Sequence, residues 1–416
     1  MKLVKTSILA LISMITKLGS GLVINKAVSL YIGPSGLALI GQFQNVLQVL
    51  MTFSKGGINS GVTKYTAEYN NDRNTSSLRE IWSTAAYITI SCSVVVGFTS
   101  IVLSSKFSTL IFNTNEYNYI FVILGFNFVL FSLNQLLLSI LNGLKEIWLL
   151  TTINVTQNIY GLIFTSVLIY QYGLDGALVA LTTNQSIVFL SSLFRLKKHS
   201  QLSMNQFNAG FSSEEASKLG QYALMALTSA CTAPLSHMYV RHFIGENVSL
   251  NGAGYWQGIW YISNMFILVM TTVLSTYFLP RFSEIKEKRI LRKELISGYL
   301  FLTPIICISA LIIYILRDTV ISILFTSDFT EMNDLFKWQL IGSVIKAMAW
   351  LLSYIIVAKS LTKIFIISEV IFSLMFILLT IVCVNSYGLI GATYAFALNY
   401  ALYFFSMVLL TRKEYI

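Results

Sequence analysis

Five lysines, Lys17, Lys26, Lys55, Lys337 and Lys346, fall inside long apolar runs, whereas of the 18 acids only Glu369 does so. A charge at the centre of a bilayer costs about 2.5–3.5 kcal/mol even on the most lenient insertion scale, so each lysine needs a partner, a watery cavity or a way back to the interface. One carboxylate cannot neutralise five ammonium groups. Lys26 and Lys337 lie a few residues from the outer ends of their runs and are expected to snorkel. Lys17 and Lys346 are about ten residues deep; with Lys55 they are the candidates to hold an anion in a cavity. Lys17 and Lys26 are nine residues apart, about 180° around a straight helix, and share a face only if the helix bends. Gly19-Ser20-Gly21 is the place for such a bend. Glu369 is the candidate for ion coupling, with simple pairing to a lysine as its other reading.

A second pattern surrounds Lys55. Asn45, Gln48, Thr52, Lys55 and Asn59 follow a 3-4-3-4 spacing, which makes one polar stripe down a helix. A matching run later in the chain keeps Asn264 and Thr271 but has Leu274 where the lysine would fall. Amides at Asn127, Asn134, Asn142, Asn154, Gln157 and Asn158 either extend the polar surface or bond helix to helix. A wet wall of amides and lysines suits a substrate with sugar hydroxyls and a phosphate or pyrophosphate. Enzymatic signatures are absent: there is no G-x-x-x-x-G-K-[ST] phosphate loop, and His199, His237 and His242 form no H-E-x-x-H cluster. Cys92, Cys231, Cys307 and Cys383 lie in four different apolar runs and read as buried free thiols. No catalytic residue, metal or cofactor is expected.

These residues must be positioned by membrane helices. The chain has 416 residues, 55% hydrophobic and 11% charged, against about a quarter charged in a soluble domain. Apolar stretches bounded by charge, Gly or Pro give twelve candidate spans, at 7–31, 38–63, 81–104, 118–142, 148–171, 175–195, 219–243, 254–278, 296–316, 335–358, 363–385 and 389–411. Alternate connections collect 20 Lys and Arg on one side and three, Lys106, Arg241 and Arg317, on the other. By the positive-inside rule both termini are cytoplasmic. The net charge of +10 therefore serves topology and an anionic substrate, and nucleic acid is not expected. Lys17 interrupts the first apolar run and no small-x-small site follows, so the N-terminus reads as an uncleaved span.

An internal repeat is visible. Tyr172-Gly173-Leu174-Asp175-Gly176-Ala177 recurs 215 residues later as Tyr387-Gly388-Leu389-Ile390-Gly391-Ala392, and the same offset places Asn184 on Asn399. An all-α integral membrane protein is expected, with twelve transmembrane helices in two six-helix lobes. Six is even, so the lobes share one orientation and are related by an axis along the membrane normal, as in transporters whose bundles rock around a central site. The expected lobes are 1–195 and 219–416, with a cytoplasmic connector at 196–218. In the connector Ser212 and Glu215 have the spacing of a capping box. The basic stretch 281–295 is expected to lie against anionic lipid.

Three segments carry a family resemblance: Gly57-Ile58-Asn59-Ser60-Gly61-Val62-Thr63-Lys64-Tyr65, Tyr277-Phe278-Leu279-Pro280-Arg281, and Phe329-Thr330-Glu331-Met332-Asn333-Asp334-Leu335-Phe336-Lys337-Trp338-Gln339-Leu340. They resemble the bacterial lipid-linked oligosaccharide flippases, those for O-antigen and enterobacterial common antigen above all. The resemblance covers nearly the whole chain, including the surroundings of Lys17, Lys26 and Lys346. It implies the multidrug/oligosaccharidyl-lipid/polysaccharide exporter fold in the inner membrane. The implied substrate is an undecaprenyl-pyrophosphate-linked O-antigen unit, moved from the cytoplasmic to the periplasmic leaflet by alternating access. The implied partners are an O-antigen polymerase and a chain-length regulator. Two alternatives stay open: a cation-coupled drug exporter of the same fold, which would be expected to bury more acid, and a membrane glycan polymerase, which would be expected to carry a larger external loop.

Overall fold

The computed structural model describes residues 2–196, 204–278, 281–282, 285, 287–359 and 361–415, and every regular element among them is helical. A backbone in hydrocarbon has no water to bond, and a helix satisfies its own N–H and C=O groups within one segment. In chain order the helices are α1 (Lys2–Tyr31), α2 (Gly33–Ser54), α3 (Asn59–Asn71), α4 (Thr75–Val102), α5 (Ser104–Phe112), α6 (Asn118–Gly143) and α7 (Ile147–Leu196). There follow α8 (Ser213–Asn247), α9 (Leu250–Val273), α10 (Lys288–Ile315), α11 (Arg317–Leu324), α12 (Phe336–Ala358), α13 (Thr362–Tyr387) and α14 (Leu389–Tyr415). Eight helical segments among the described residues are long and apolar enough to cross a membrane. They fall on α2, α4, α6, α7, α10, α12, α13 and α14. The protein is thus an all-α, multi-span membrane protein; a count of twelve spans, which needs α1, α8, α9 and both parts of α7, is a proposal.

The sequence repeat is a repeat of structure. α4 and α10 are both 28 residues long and start 213 residues apart, and each is followed at once by a short helix, α5 or α11. Gly173 breaks α7 into two rods with φ 55° and ψ −125°. Its repeat mate Gly388 separates α13 from α14 with φ 62° and ψ −147°. A side chain disfavours that backbone, so glycine is needed at both places. Three residues on, a Cβ on Gly176 would lie 2.0 Å from the Leu168 carbonyl oxygen, and one on Gly391 would lie 2.1 Å from that of Cys383. The first glycine turns the chain and the second lets the new helix start against the end of the old one.

The chain forms two compact units. The first comprises Met1–Tyr31 and Phe43–Cys231, the second Ile32–Gln42 and Thr232–Ile416. In the first, Ile58, Val62, Ile81, Trp82, Ile140 and Leu219 form one core cluster, and the Trp82 indole donates to Thr66 Oγ1 at 3.0 Å. The described end of the connector is tied down on α4: the Ala209 N–H donates to Ser83 Oγ (2.9 Å) and the Ser212 N–H to Thr84 Oγ1 (3.0 Å). Half of the expected capping box forms, with the Glu215 N–H donating to Ser212 Oγ at 3.4 Å. The Glu215 carboxylate does not reach back; it accepts from Tyr69 (3.0 Å) and Lys218 (2.8 Å). In the second unit one cluster gathers Phe278, Phe282, Leu291, Leu302, Ile355 and Met407, and another gathers Trp256, Trp260, Phe376 and Phe396.

Two expectations are corrected. The single helix at 38–63 with an unbroken polar stripe does not form: α2 ends at Ser54 and α3 begins at Asn59. Between them Gly56 (φ +64°) and Gly57 (φ +66°) turn the chain, and a Cβ on Gly57 would come 3.0 Å from the Ala223 carbonyl oxygen. Hydropathy reads through such a turn because it carries no information about φ. Arg241, counted from the sequence among external connections, instead lies inside α8 with 3% exposure.

Candidate functional site

In the second unit α12 presents Gln339, Ser343, Lys346 and Trp350 at successive turns of one face. Lys346 is 5% exposed. Its ammonium lies 4.8 Å from the ring centres of Trp350 and Tyr400, 4.9 Å from Trp260 and 5.8 Å from Phe396. Three helices, α9, α12 and α14, supply those rings. Among the described residues the ammonium makes no hydrogen bond or ion pair. Glu369 of α13 is half-buried, and its field reaches Lys346, Tyr400 and Tyr403. Tyr403 donates to Ser353 Oγ at 3.2 Å.

The same aromatic wall holds a second cation. Trp256 and Trp260, one turn apart on α9, stack with centroids 6.0 Å apart and planes 12° from parallel. The Arg241 guanidinium sits 5.5 Å from Trp256; it donates to Gln42 Oε1 at 3.3 Å and to Gln257 Oε1. His237 lies against Trp260 with ring centres 4.1 Å apart. Gly41 makes room for the amide of Gln257, since a Cβ there would meet the Gln257 side chain at 2.5 Å. The unit therefore stores two cations along one tryptophan pair, Arg241 on Trp256 and Lys346 on Trp260. On the same face of α12, Gln339 is fully buried and among the described residues neither amide atom has a partner, while Ser263 and Ser343 share a hydrogen bond of 2.5 Å.

The remaining expected residues are distributed differently. Asn264 is exposed on α9, and the hydroxyl of Thr271 donates to the Leu268 carbonyl (2.9 Å). Lys337 is exposed in the first turn of α12, 5.9 Å from the Trp338 ring. In the first unit Lys17 is exposed and Lys26 half-buried on α1, which runs as a helix through Gly19-Ser20-Gly21. No helix break there brings the two lysines onto one face. Asn158 of α7 faces Lys17's neighbours, donating to Thr16 Oγ1 at 3.4 Å, while its carbonyl accepts from Ser20 at 3.1 Å. Gln48 is exposed and Asn45 half-buried on α2, and Thr52 donates to the Gln48 carbonyl (2.9 Å). Lys55, half-buried beyond the end of α2, lies 5.8 Å from the Phe131 ring. Asn59 is used in packing: its amide donates to Gln135 O (3.1 Å) and Ser139 Oγ (2.8 Å) on α6.

Sequence reading missed Arg241, Gln42, Gln257 and the four rings around Lys346. A signal was present: Trp256 and Trp260 are four residues apart, and Trp350 lies four after Lys346.

Comparison with known proteins places this architecture. The fold matches multidrug resistance MATE family transporters of the MOP superfamily. To one in an inward-facing conformation the TM-score is 0.79 at 14% identity, over 96% of this chain and 97% of that one. To one in an outward-facing conformation the TM-score is 0.73 at 14% identity, over 99% and 94%. The lipid III flippase of Escherichia coli (strain K12) is 27% identical over 404 residues, 97% of each chain. The family described as polysaccharide biosynthesis protein matches residues 32–334. The fold is thus that of the MOP-superfamily transporters, and the chain belongs to the polysaccharide biosynthesis protein family.

Proposed function

We propose that this protein is a flippase, and not an enzyme, that moves an undecaprenyl-pyrophosphate-linked glycan of the O-antigen type across the inner membrane by alternating access. The observation that carries the reading is the match to a lipid III flippase along 97% of both chains. The sequence supports it: lysines and amides in an apolar chain suit a head group of phosphate and sugar. That relatives of this fold exist in inward-facing and outward-facing conformations supports alternating access. Both termini are cytoplasmic in this reading, and the flipped unit is handed to a glycan polymerase outside. Lys17 and Gln48 in the first unit, and separately Asn264 in the second, are the exposed members of the candidate set and in this reading offer their polar groups to the substrate. Lys346 contributes once its cage releases it.

A multidrug exporter is the second reading, favoured by the MATE fold of the solved relatives. Its cationic substrates would face a wall that already stores Arg241 and Lys346. The deciding experiment places the purified chain alone in vesicles and follows a labelled pyrophosphate-linked glycan from one leaflet to the other. Movement of the glycan with no movement of cationic dyes is expected. Dye export without glycan movement transfers the protein to the second reading.

A further inference from the structure

We propose that the first two turns of α10, with the apolar stripe below them, form a seat for an anionic phospholipid of the cytoplasmic leaflet. α10 has 28 residues, about 42 Å of helix at 1.5 Å per residue, whereas the hydrocarbon core is about 30 Å thick. Lys288–Leu295 therefore stands at the level of the lipid head groups. Lys288, Arg289, Arg292 and Lys293 in those turns are all exposed, and among the described residues none makes a hydrogen bond or ion pair. Among the described residues the local acids are Glu287, exposed at the helix start, and Glu294. Glu294 is already engaged, accepting from Tyr277 at 3.0 Å and lying 3.7 Å from Arg281.

Three other basic residues counted on the same side are satisfied within the protein. Lys64 bonds Tyr222 at 2.9 Å, Lys218 bonds Glu214 and Glu215 at 2.8 Å, and Lys359 donates to the Ile285 carbonyl at 2.5 Å. A basic residue that only marks topology can be satisfied within the protein, as these three are, or stand exposed, as Arg73, Lys145, Lys363, Arg412 and Lys413 do; the four on α10 are set apart by standing together on two turns of one helix above an apolar stripe.

The helix below supplies the acyl site. Leu291, Leu295, Leu302 and Ile306 face the core. On the other side Arg289, Lys293, Ile296, Leu300, Cys307 and Leu311 are all exposed, and at 100° per residue they lie within about 60° of one another. Cations at head-group depth thus run straight into an apolar stripe. A free phosphate would use only the upper part, and a lipid with a neutral head only the lower; an anionic phospholipid uses both.

The test uses the full-length purified chain in detergent and measures lipid retained, by native mass spectrometry, from equal mixtures of phosphatidylglycerol and phosphatidylcholine with the same chains. Phosphatidylglycerol is expected to be preferred, and the preference should fall as salt is raised. A basic residue at an anionic surface is worth about a factor of five, so Arg289→Gln with Lys293→Gln should cut the preference about 25-fold. Arg289→Lys with Lys293→Arg should keep it. If the glutamine variant does not fold, the salt series and the swapped variant on the native background still decide. Equal retention of the two lipids, a preference unaffected by salt, a preference unchanged in a folded glutamine variant, or full displacement of the lipid by millimolar inorganic phosphate would each overturn the seat.

Discussion

A lysine with no carboxylate beside it survives in the second unit because its water has been replaced by ring faces. A face over a desolvated ammonium contributes about 2 kcal/mol or more, and an exposed one about 0.5–1. Three rings within 5 Å of Lys346 can therefore offset an insertion cost of about 2.5–3.5 kcal/mol. The charge is stored, not neutralised, which is what a protein needs if that charge is to meet an anionic head group later. Lys346→Met keeps the length and removes the charge. It should leave thermal stability equal or higher, because replacing a buried charge by an apolar isostere is often neutral or stabilising. A charge-assisted contact to phosphate is worth about 1.5–3 kcal/mol, so transport should fall roughly 10- to 100-fold. Lys346→Arg should retain part of the activity, since the charge persists in a wider, planar group. Wild-type transport by Lys346→Met at normal abundance would reduce the lysine to packing. The lysine itself was legible in the sequence because a charge stands out against an apolar run. Its cage was not, because Trp260, Phe396 and Tyr400 come from other helices and read as ordinary core. Arg241 was misplaced for a related reason: a charge looks like the end of a span unless its amide partners, Gln42 and Gln257, are known to be near.

At the scale of elements, glycine explains both the part of the fold that the sequence announced and the part that it hid. The Tyr-Gly-Leu turns were visible because the same letters recur at a fixed offset, and the backbone at Gly173 and Gly388 matches as closely as the letters do. Gly173→Ala and Gly388→Ala should each lower stability by about 1–3 kcal/mol, the cost of forcing a side chain into that region. The two losses should be similar and should add, as those of separated sites do. Unequal losses in thermal melts of the single and double variants would mean that the two turns are not equivalent. Gly56-Gly57 has no repeat mate to announce it, so the end of α2 was lost inside an apolar run. A polar latch then fixes α8 to α3. Hydrogen bonds to Glu214, Glu215 and Tyr69 hold Lys218 above the usual lysine range, and Lys218 in turn holds Glu214 below its ordinary value of 4.5. A depressed carboxylate stabilises above its unfolded pKa and stops doing so as pH falls through its folded one; a raised lysine loses its contribution only in strong alkali. Hydrogen exchange at the start of α8, taken relative to the intrinsic amide rate at each pH, should therefore be flat around neutrality and rise below about pH 4.5. Glu215→Gln should raise it already at neutral pH, and unchanged exchange in that variant would show that Tyr69 and Glu214 suffice.

For the molecule as a whole the open quantity is the energy source, and charge constrains it. Without a nucleotide-binding motif, net export must draw on an ion gradient, on the membrane potential or on removal of product outside. An inside-negative potential favours outward movement of a negative head group by about 2.3 kcal/mol per elementary charge per 100 mV. A pyrophosphate linkage with about two charges would gain roughly 4–5 kcal/mol at that voltage, less whatever compensating charge the carrier moves with it. Glu369 is the candidate for a proton cycle; it is half-buried, its field reaches Lys346 and the hydroxyls of Tyr400 and Tyr403, and it is one carboxylate against the five lysines of the apolar runs. The hypothesis is therefore that the potential contributes more than proton exchange at Glu369. In reconstituted vesicles, collapsing the potential with valinomycin and potassium should slow net export, while Glu369→Gln should leave most of it intact. Export that survives loss of the potential, yet stops with Glu369→Gln or with a collapsed pH gradient, would replace electrophoretic export by proton antiport.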